Sequence, residues 1–212
     1  MPTISLRRVP LSVLALLAMA LGGFPSLASA EWVHEGQAKE GKWTASFRAG
    51  FSIPTQEMIV NTDGGLGPAV NLHLQYGLNR FFAAGFMLEW EHLGYEQERP
   101  NRDIGTRNTI SLLPTLEFRP GRFGNVIPYI STGIGINVNT FDEEPGVPST
   151  SLSNTFAWRV AGGVDYPITE QLMLNAELAW KRNRGGLEVG NVDVGSFDAS
   201  TANLLFGVKY TF

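Results

Sequence analysis

Eight segments in which apolar and polar residues alternate one for one constrain this chain more than anything else in it. Successive side chains of a strand point to opposite faces, so a period of two sorts them into two sets. In the segment 43–53, Trp43, Ala45, Phe47, Ala49, Phe51 and Ile53 share one face, and Thr44, Ser46, Arg48, Gly50 and Ser52 share the other. The pattern recurs over 68–76, 80–92, 107–119, 127–139, 155–166, 172–182 and 200–212. The polar sets hold small residues, glycine and scattered charges of both signs. Such a set suits a cramped interior, with the apolar set facing outward. A soluble sandwich or lipocalin-like barrel also alternates, but it buries the apolar face. The fold predicted is all-β: an eight-stranded antiparallel transmembrane barrel.

Segment and connection lengths agree with that reading. Each segment supplies the ~9–11 tilted residues that a strand needs to cross a bilayer. The connections alternate short (77–79, 120–126, 167–171) and long (54–67, 93–106, 140–154, 183–199). Short inner turns and long outer loops are the asymmetry of outer-membrane barrels. Both termini then lie on the periplasmic side. Outward aromatics gather near segment ends, where amphipathic rings favour the headgroup level. Trp43, Tyr76, Phe82, Phe118, Tyr166, Tyr210 and Phe212 are expected at the periplasmic rim, and Phe51, Trp90, Phe156 and Trp180 toward the other.

The first thirty residues have the layout of a secretory signal peptide. Arg7 and Arg8 precede an apolar run over 9–24, Pro25 breaks it, and Ala28-Ser29-Ala30 places small residues before the cut. The run falls short of the ~20 apolar residues of a spanning helix. Cleavage is expected between Ala30 and Glu31. The chain divides into a leader (1–30), a polar periplasmic extension (31–42) and a barrel (43–212), located in the bacterial outer membrane.

Composition excludes several functions. There is no cysteine, hence no disulfide, thiol chemistry or thiolate metal site. The formal charge of −4, less the two positive charges of Arg7 and Arg8, leaves −6 after cleavage. An acidic chain without a basic run does not suit nucleic acid. No cofactor motif is present.

The residues resemble the OmpW family of small outer-membrane barrels and, more broadly, the eight-stranded OmpA/OmpX type. The resemblance is carried by Ile127-Pro-Tyr-Ile-Ser-Thr-Gly-Ile-Gly-Ile-Asn137, by Leu152-Ser-Asn-Thr-Phe156 through Gly163-Val-Asp-Tyr166, by Leu174-Asn-Ala-Glu177, and by the ending Gly207-Val-Lys-Tyr-Thr-Phe212. It implies outer-membrane lipid and lipopolysaccharide as surroundings. It also implies recognition of Tyr210 and Phe212 by the barrel-assembly machinery, and a narrow apolar lumen proposed to pass small hydrophobic molecules.

The inward set departs from that implication. Arg48, Arg119, Arg159, Lys181 and Lys209 face in with Glu89, Glu91, Glu117, Asp165 and Glu177. Eight strands enclose a space that side chains just fill, so these charges must pair or pay several kcal/mol each for desolvation. They read as a salt-bridged plug or as a narrow path with charged gates. Inward Phe81, Met87, Leu113, Met173 and Leu205 are apolar.

No catalytic site is expected. Lipid A deacylases on this frame carry His-x-Ser-Asn, which follows none of His34, His73 or His92. The loop acids Asp142-Glu143-Glu144, Asp193 and Asp198 lack complete metal-ligand spacing and read as solvated charge. The sequence favours a narrow channel or transport barrel for small solutes, without covalent chemistry. The alternative is a structural or adhesive barrel, closed inside and binding through its outer loops.

Overall fold

The computed structural model describes residues 32–33, 40–58, 62–98, 101–190 and 192–212. The leader with Ala30, the residue Glu31, and His34 lie outside the described residues. Eight long strands form the wall: β1 (Trp43–Pro54), β2 (Gly67–Gly77), β3 (Phe82–Glu98), β4 (Asn101–Phe118), β5 (Ile127–Glu143), β6 (Thr155–Pro167), β7 (Leu172–Arg182) and β8 (Thr201–Thr211). Each pairs antiparallel with the next, and β8 returns to β1 from Thr201↔Pro54 to Thr211↔Thr44. The sheet is therefore closed and leaves no transmembrane edge, which is what hydrocarbon demands of a spanning sheet.

The wall is apolar outside and polar inside. Phe47, Phe51, Ile130, Ile134, Phe156 and Phe206 are among the exposed large side chains, whereas Arg48, Glu89, Glu117, Lys181 and Lys209 are fully buried. This inversion of a soluble protein's burial is the signature of a chain solvated by lipid. Aromatic pairs mark both rims: Trp43 with Tyr76 (5.1 Å) and Phe82 with Phe118 (5.1 Å) at one, Trp158 with Trp180 (5.7 Å) toward the other.

The periplasmic turns are tied by short polar side chains that replace missing backbone partners. Asn79 Oδ1 accepts from the Phe81 and Phe82 amides (2.8 and 2.9 Å), and Thr169 Oγ1 accepts from Gln171 and Leu172 (3.2 and 3.0 Å). In the N-terminal extension, Trp32–Val33 pairs with Arg122–Phe123, so a segment without sequence periodicity carries a short strand.

The outer connections differ from the loops expected over 93–106, 140–154 and 183–199. β3 and β4 stay paired to Glu98↔Asn101, and β5 runs on to Glu143. The strands of this hairpin exceed the bilayer requirement by about seven residues, or roughly 20 Å of strand. The last outer connection is a hairpin of Arg184–Val189 and Val192–Asp198, to which Thr150–Leu152 adds a third strand. Thr62–Gly64 pairs with the end of β3.

Candidate functional site

The lumen is filled from the periplasmic end upward by charges in successive layers. The lowest is a tetrad. Arg119 meets Glu117 at 2.5 Å and Asp165 at 3.2 Å, and Lys209 Nζ meets Asp165 at 3.0 Å and Glu117 at 3.6 Å. Gln75 donates to Glu117 (3.0 Å) and Asn175 to Asp165 (2.6 Å), so each carboxylate also accepts from a neutral amide. Tyr129 forms the roof: Lys209 Nζ lies 3.8 Å from its ring centroid, and its hydroxyl donates to Glu177 (2.8 Å).

A second chain of charges climbs from there. Arg48 is anchored by Asn175 Oδ1 (2.5 Å) and Asn71 Oδ1 (3.1 Å), with Glu177 at 3.8 Å. Glu177 accepts from Arg159 (2.6 Å), whose Nε reaches Glu89 at 3.1 Å. Lys181 bridges Glu89 (3.1 Å) and Glu91 (3.0 Å), and Arg107 stands above Glu91 at 3.7 Å. Asn203 and Thr201 also donate to Glu91 (2.7 and 2.9 Å). Ten inward charges named from the sequence thus lie in the lumen, each with an opposite charge within 4 Å.

Arg107 and Tyr129 in the lumen were not singled out in the sequence. Arg107 begins the fourth segment, and counting back in twos from inward Thr109 would have placed it inside. Tyr129 shares the parity of inward Ser131 in the same way. Gly163, the cross-strand partner of Tyr129, makes room for it, since a Cβ there would collide with the Tyr129 ring.

The charges do not fill every level. Met87, Leu113 and Ala157 form a small apolar cluster on the wall of β3, β4 and β6. At the same level the ladder between β4 and β5 lapses: Leu112 pairs with Ile136 and Thr115 with Gly133, but Leu113 and Pro114 have no partner on β5. Proline has no N–H to offer the opposing Ile134 carbonyl. Above Arg107, Met58, Leu93, Tyr95, Leu152, Leu187, Phe197 and Ala199 close the outer end as an apolar cap. Below Arg107, at the level of Thr109, Asn139 and Asn183 exchange hydrogen bonds at 3.2 and 2.7 Å.

The remaining candidates lie apart from this column or serve it. His73 is buried, with Nε2 2.7 Å from Thr115 Oγ1. His92 bonds Asn108 (2.8 Å) and stacks on Trp90. Asp142 accepts from Asn108, Glu143 from the Thr150 amide, Asp193 from Gly195 and Asp198 from Ser200. Among the described residues no three acid or histidine side chains gather where they would hold a metal. Phe212 closes the seam by backbone bonds with Trp43 (2.9 and 3.2 Å), and its exposed ring stacks on Tyr210.

A family model described as "Outer membrane protein beta-barrel domain" matches residues 14–212. This chain belongs to that family. This outer membrane β-barrel protein is therefore placed in the bacterial outer membrane. No curated protein matches it. Among solved structures it is similar to the outer membrane protein OprG from Pseudomonas aeruginosa, at 13% identity, 82% of this chain and 98% of that one, with a TM-score of 0.64. It is also similar to the outer membrane protein AlkL (17% identity, 90% and 95% covered, TM-score 0.60) and to Neisserial surface protein A (16%, 82% and 98%, TM-score 0.56). At these identities the likeness is one of fold: the small eight-stranded barrel.

Proposed function

We propose that this barrel is closed across the membrane and works from its outer end, as a binding barrel without covalent chemistry. The observation that carries the reading is the burial of the lumen charges. Arg48, Arg107, Lys181 and Lys209, with Glu89, Glu91, Glu117 and Asp165, each have 0% of their surface accessible, leaving water no room among them. A path for aqueous solutes would need hydrated charges. Extended strands and a small outer sheet, by contrast, present a built surface beyond the bilayer. The chain reaches that position by export with removal of residues 1–30, so the mature protein begins at Glu31.

Conductance of the refolded mature barrel in a planar bilayer tests the reading. The barrel is expected to stay silent. Discrete steps that change with Arg159→Gln or Glu117→Gln would overturn it. Lipid A from cells with and without the protein should have the same mass, and the N-terminal residue of the purified protein should be Glu31.

A second reading rests on the ladder break. A wall missing one hydrogen bond at Pro114, backed inside by Leu113, Met87 and Ala157, is an apolar weak point facing lipid. Small apolar molecules would leave through it sideways, without crossing the charged column. Uptake of a labelled alkane into liposomes, lost on Pro114→Ala, distinguishes this reading from the first.

A further inference from the structure

We propose that the outer rim, where β7 runs on into the outer hairpin, binds a phosphorylated glycolipid of the outer leaflet. Arg182 and Arg184 meet one of its phosphate monoesters, and its acyl chains lie on the aromatic wall of β6 and β7. The site is on the lipid face, so it goes beyond the closed lumen and the outer-end role proposed above and does not depend on them.

Placement supplies the first argument. Arg182 and Arg184 are exposed, while Lys181 and Asn183 are buried, so the two arginines continue the outward face of Leu178 and Trp180. Arg182 is the cross-strand partner of Trp158, whose ring meets that of Trp180 edge-on at 5.7 Å. A tryptophan pair on the lipid face marks the headgroup level. The two guanidiniums therefore emerge at that level and just above it, among lipid headgroups. Leu178 and Trp180 below them, and Trp158 and Phe156 beside them, are exposed apolar side chains, a surface for acyl chains.

Charge supplies the second. Among the described residues, no hydrogen bond or ion pair engages either guanidinium. Asp198 is the cross-strand partner of Arg184, yet its Oδ1 accepts instead from the Ser200 amide and hydroxyl (3.1 and 2.7 Å). Elsewhere the outer end is acidic: Glu96, Asp103, Glu143, Glu144, Glu188 and Asp193 are exposed. Its other exposed cation among the described residues, Arg102, donates to the Pro145 carbonyl (2.8 Å). On the side of β3 to β5 the rim presents His92, Asn108 and Asp142, joined by hydrogen bonds. An anionic headgroup is repelled by these acids and finds two unpaired cations at Arg182 and Arg184. Alternate residues of an extended chain lie about 7 Å apart, close enough for both guanidiniums to meet one phosphate. A phosphate monoester carries about −1.5 to −2 at neutral pH and so matches two cations, whereas the phosphodiester of a glycerophospholipid carries about −1.

The test is native mass spectrometry of the mature barrel in detergent, titrated with bisphosphorylated lipid A and separately with lipid A stripped of its phosphates. EDTA is present, so that no divalent cation bridges phosphate to the outer acids. The phosphorylated form is expected to bind about tenfold more tightly than the stripped form. Arg182→Gln combined with Arg184→Gln should remove most of that difference, each single change a part of it, and Arg102→Gln none. Equimolar phosphatidylglycerol should not displace the lipid A. The heat-dependent gel shift reports that each variant is folded, as substitutions at exposed positions should leave it. Equal binding of the two forms, or a preference unmoved by the double change, would overturn the site. An equal loss on Arg102→Gln would replace it with a general attraction to the outer end, and displacement by phosphatidylglycerol would overturn the monoester. Conductance reports separately on the lumen, so failure here is distinguishable from failure of the closed barrel.

Discussion

Arg159 and Glu89 are joined across the lumen, from β6 to β3, with Nε 3.1 Å from Oε2. The same guanidinium holds Glu177 on neighbouring β7 at 2.6 Å. Strands that share no backbone hydrogen bond are thereby linked through the interior. Arg159→Met should strand two buried carboxylates and lower the stability of the folded barrel by about 3 kcal/mol, the scale for breaking a buried ion pair. Arg159→Lys should recover part of that, since an ammonium keeps the charge but not the two-directional reach. Urea unfolding of the barrel in lipid vesicles measures both. A midpoint unmoved by Arg159→Met would mean that the pair is not part of what holds β3 to β6.

Gly163 and Tyr129 predict a shape effect rather than a charge effect. Tyr129 lies across Gly163 and roofs the tetrad through Lys209, while its hydroxyl holds Glu177. Gly163→Ala should cost about 1–3 kcal/mol, the usual range for overpacking. A smaller partner should relieve it, so Gly163→Ala combined with Tyr129→Leu should be less unstable than the two single losses summed. Strict additivity would show that the two residues do not share the space.

The wall of this barrel was legible in the sequence because lipid imposes a period of two on every spanning strand. Phe47 against Arg48, or Leu88 against Glu89, states its own direction. The signal ends where the bilayer ends. At Glu96, Gln97, Arg102 and Asp103 neither face is buried, alternation disappears, and paired strand reads as loop. The cap residues Leu93 and Tyr95 fell beside that stretch, so the cap was not visible, whereas Arg107 at the start of the fourth segment could have been read from its parity. The pairing of charges was also hidden, because it depends on which strands face each other across the lumen. The small hairpin over 184–198 is rich in glycine and acid, a composition that marks turns as readily as strands.

Pro114 predicts a gain. It lies in mid-strand on β4, opposite Phe86 on β3, and the ladder to β5 fails at this point alone along 109–118. Pro114→Ala restores an N–H facing the Ile134 carbonyl. One recovered hydrogen bond should stabilise the barrel by about 1 kcal/mol. Amide hydrogen exchange at Ile134, Gly135 and Ile136 should slow with it. If exchange there is already as slow as at Val138 in the natural chain, the break is not a weak point, and sideways passage loses its support.

Phe212 separates folding from assembly. Its backbone closes the seam through Trp43, a role any residue fills, while its ring is 57% exposed and, among the described residues, stacks on Tyr210. Phe212→Ser should therefore shift the unfolding midpoint of the refolded barrel by no more than about 0.5 kcal/mol, as surface substitutions do. In cells the same change should reduce the amount of folded barrel in the outer membrane several-fold, roughly, because an exposed terminal ring with little packing energy is available to a recognising partner. Heat-modifiable protein in membrane fractions gives the second number, and urea unfolding the first. Equal falls in both would assign Phe212 to stability. A normal level in the membrane would remove it from recognition by the assembly machinery.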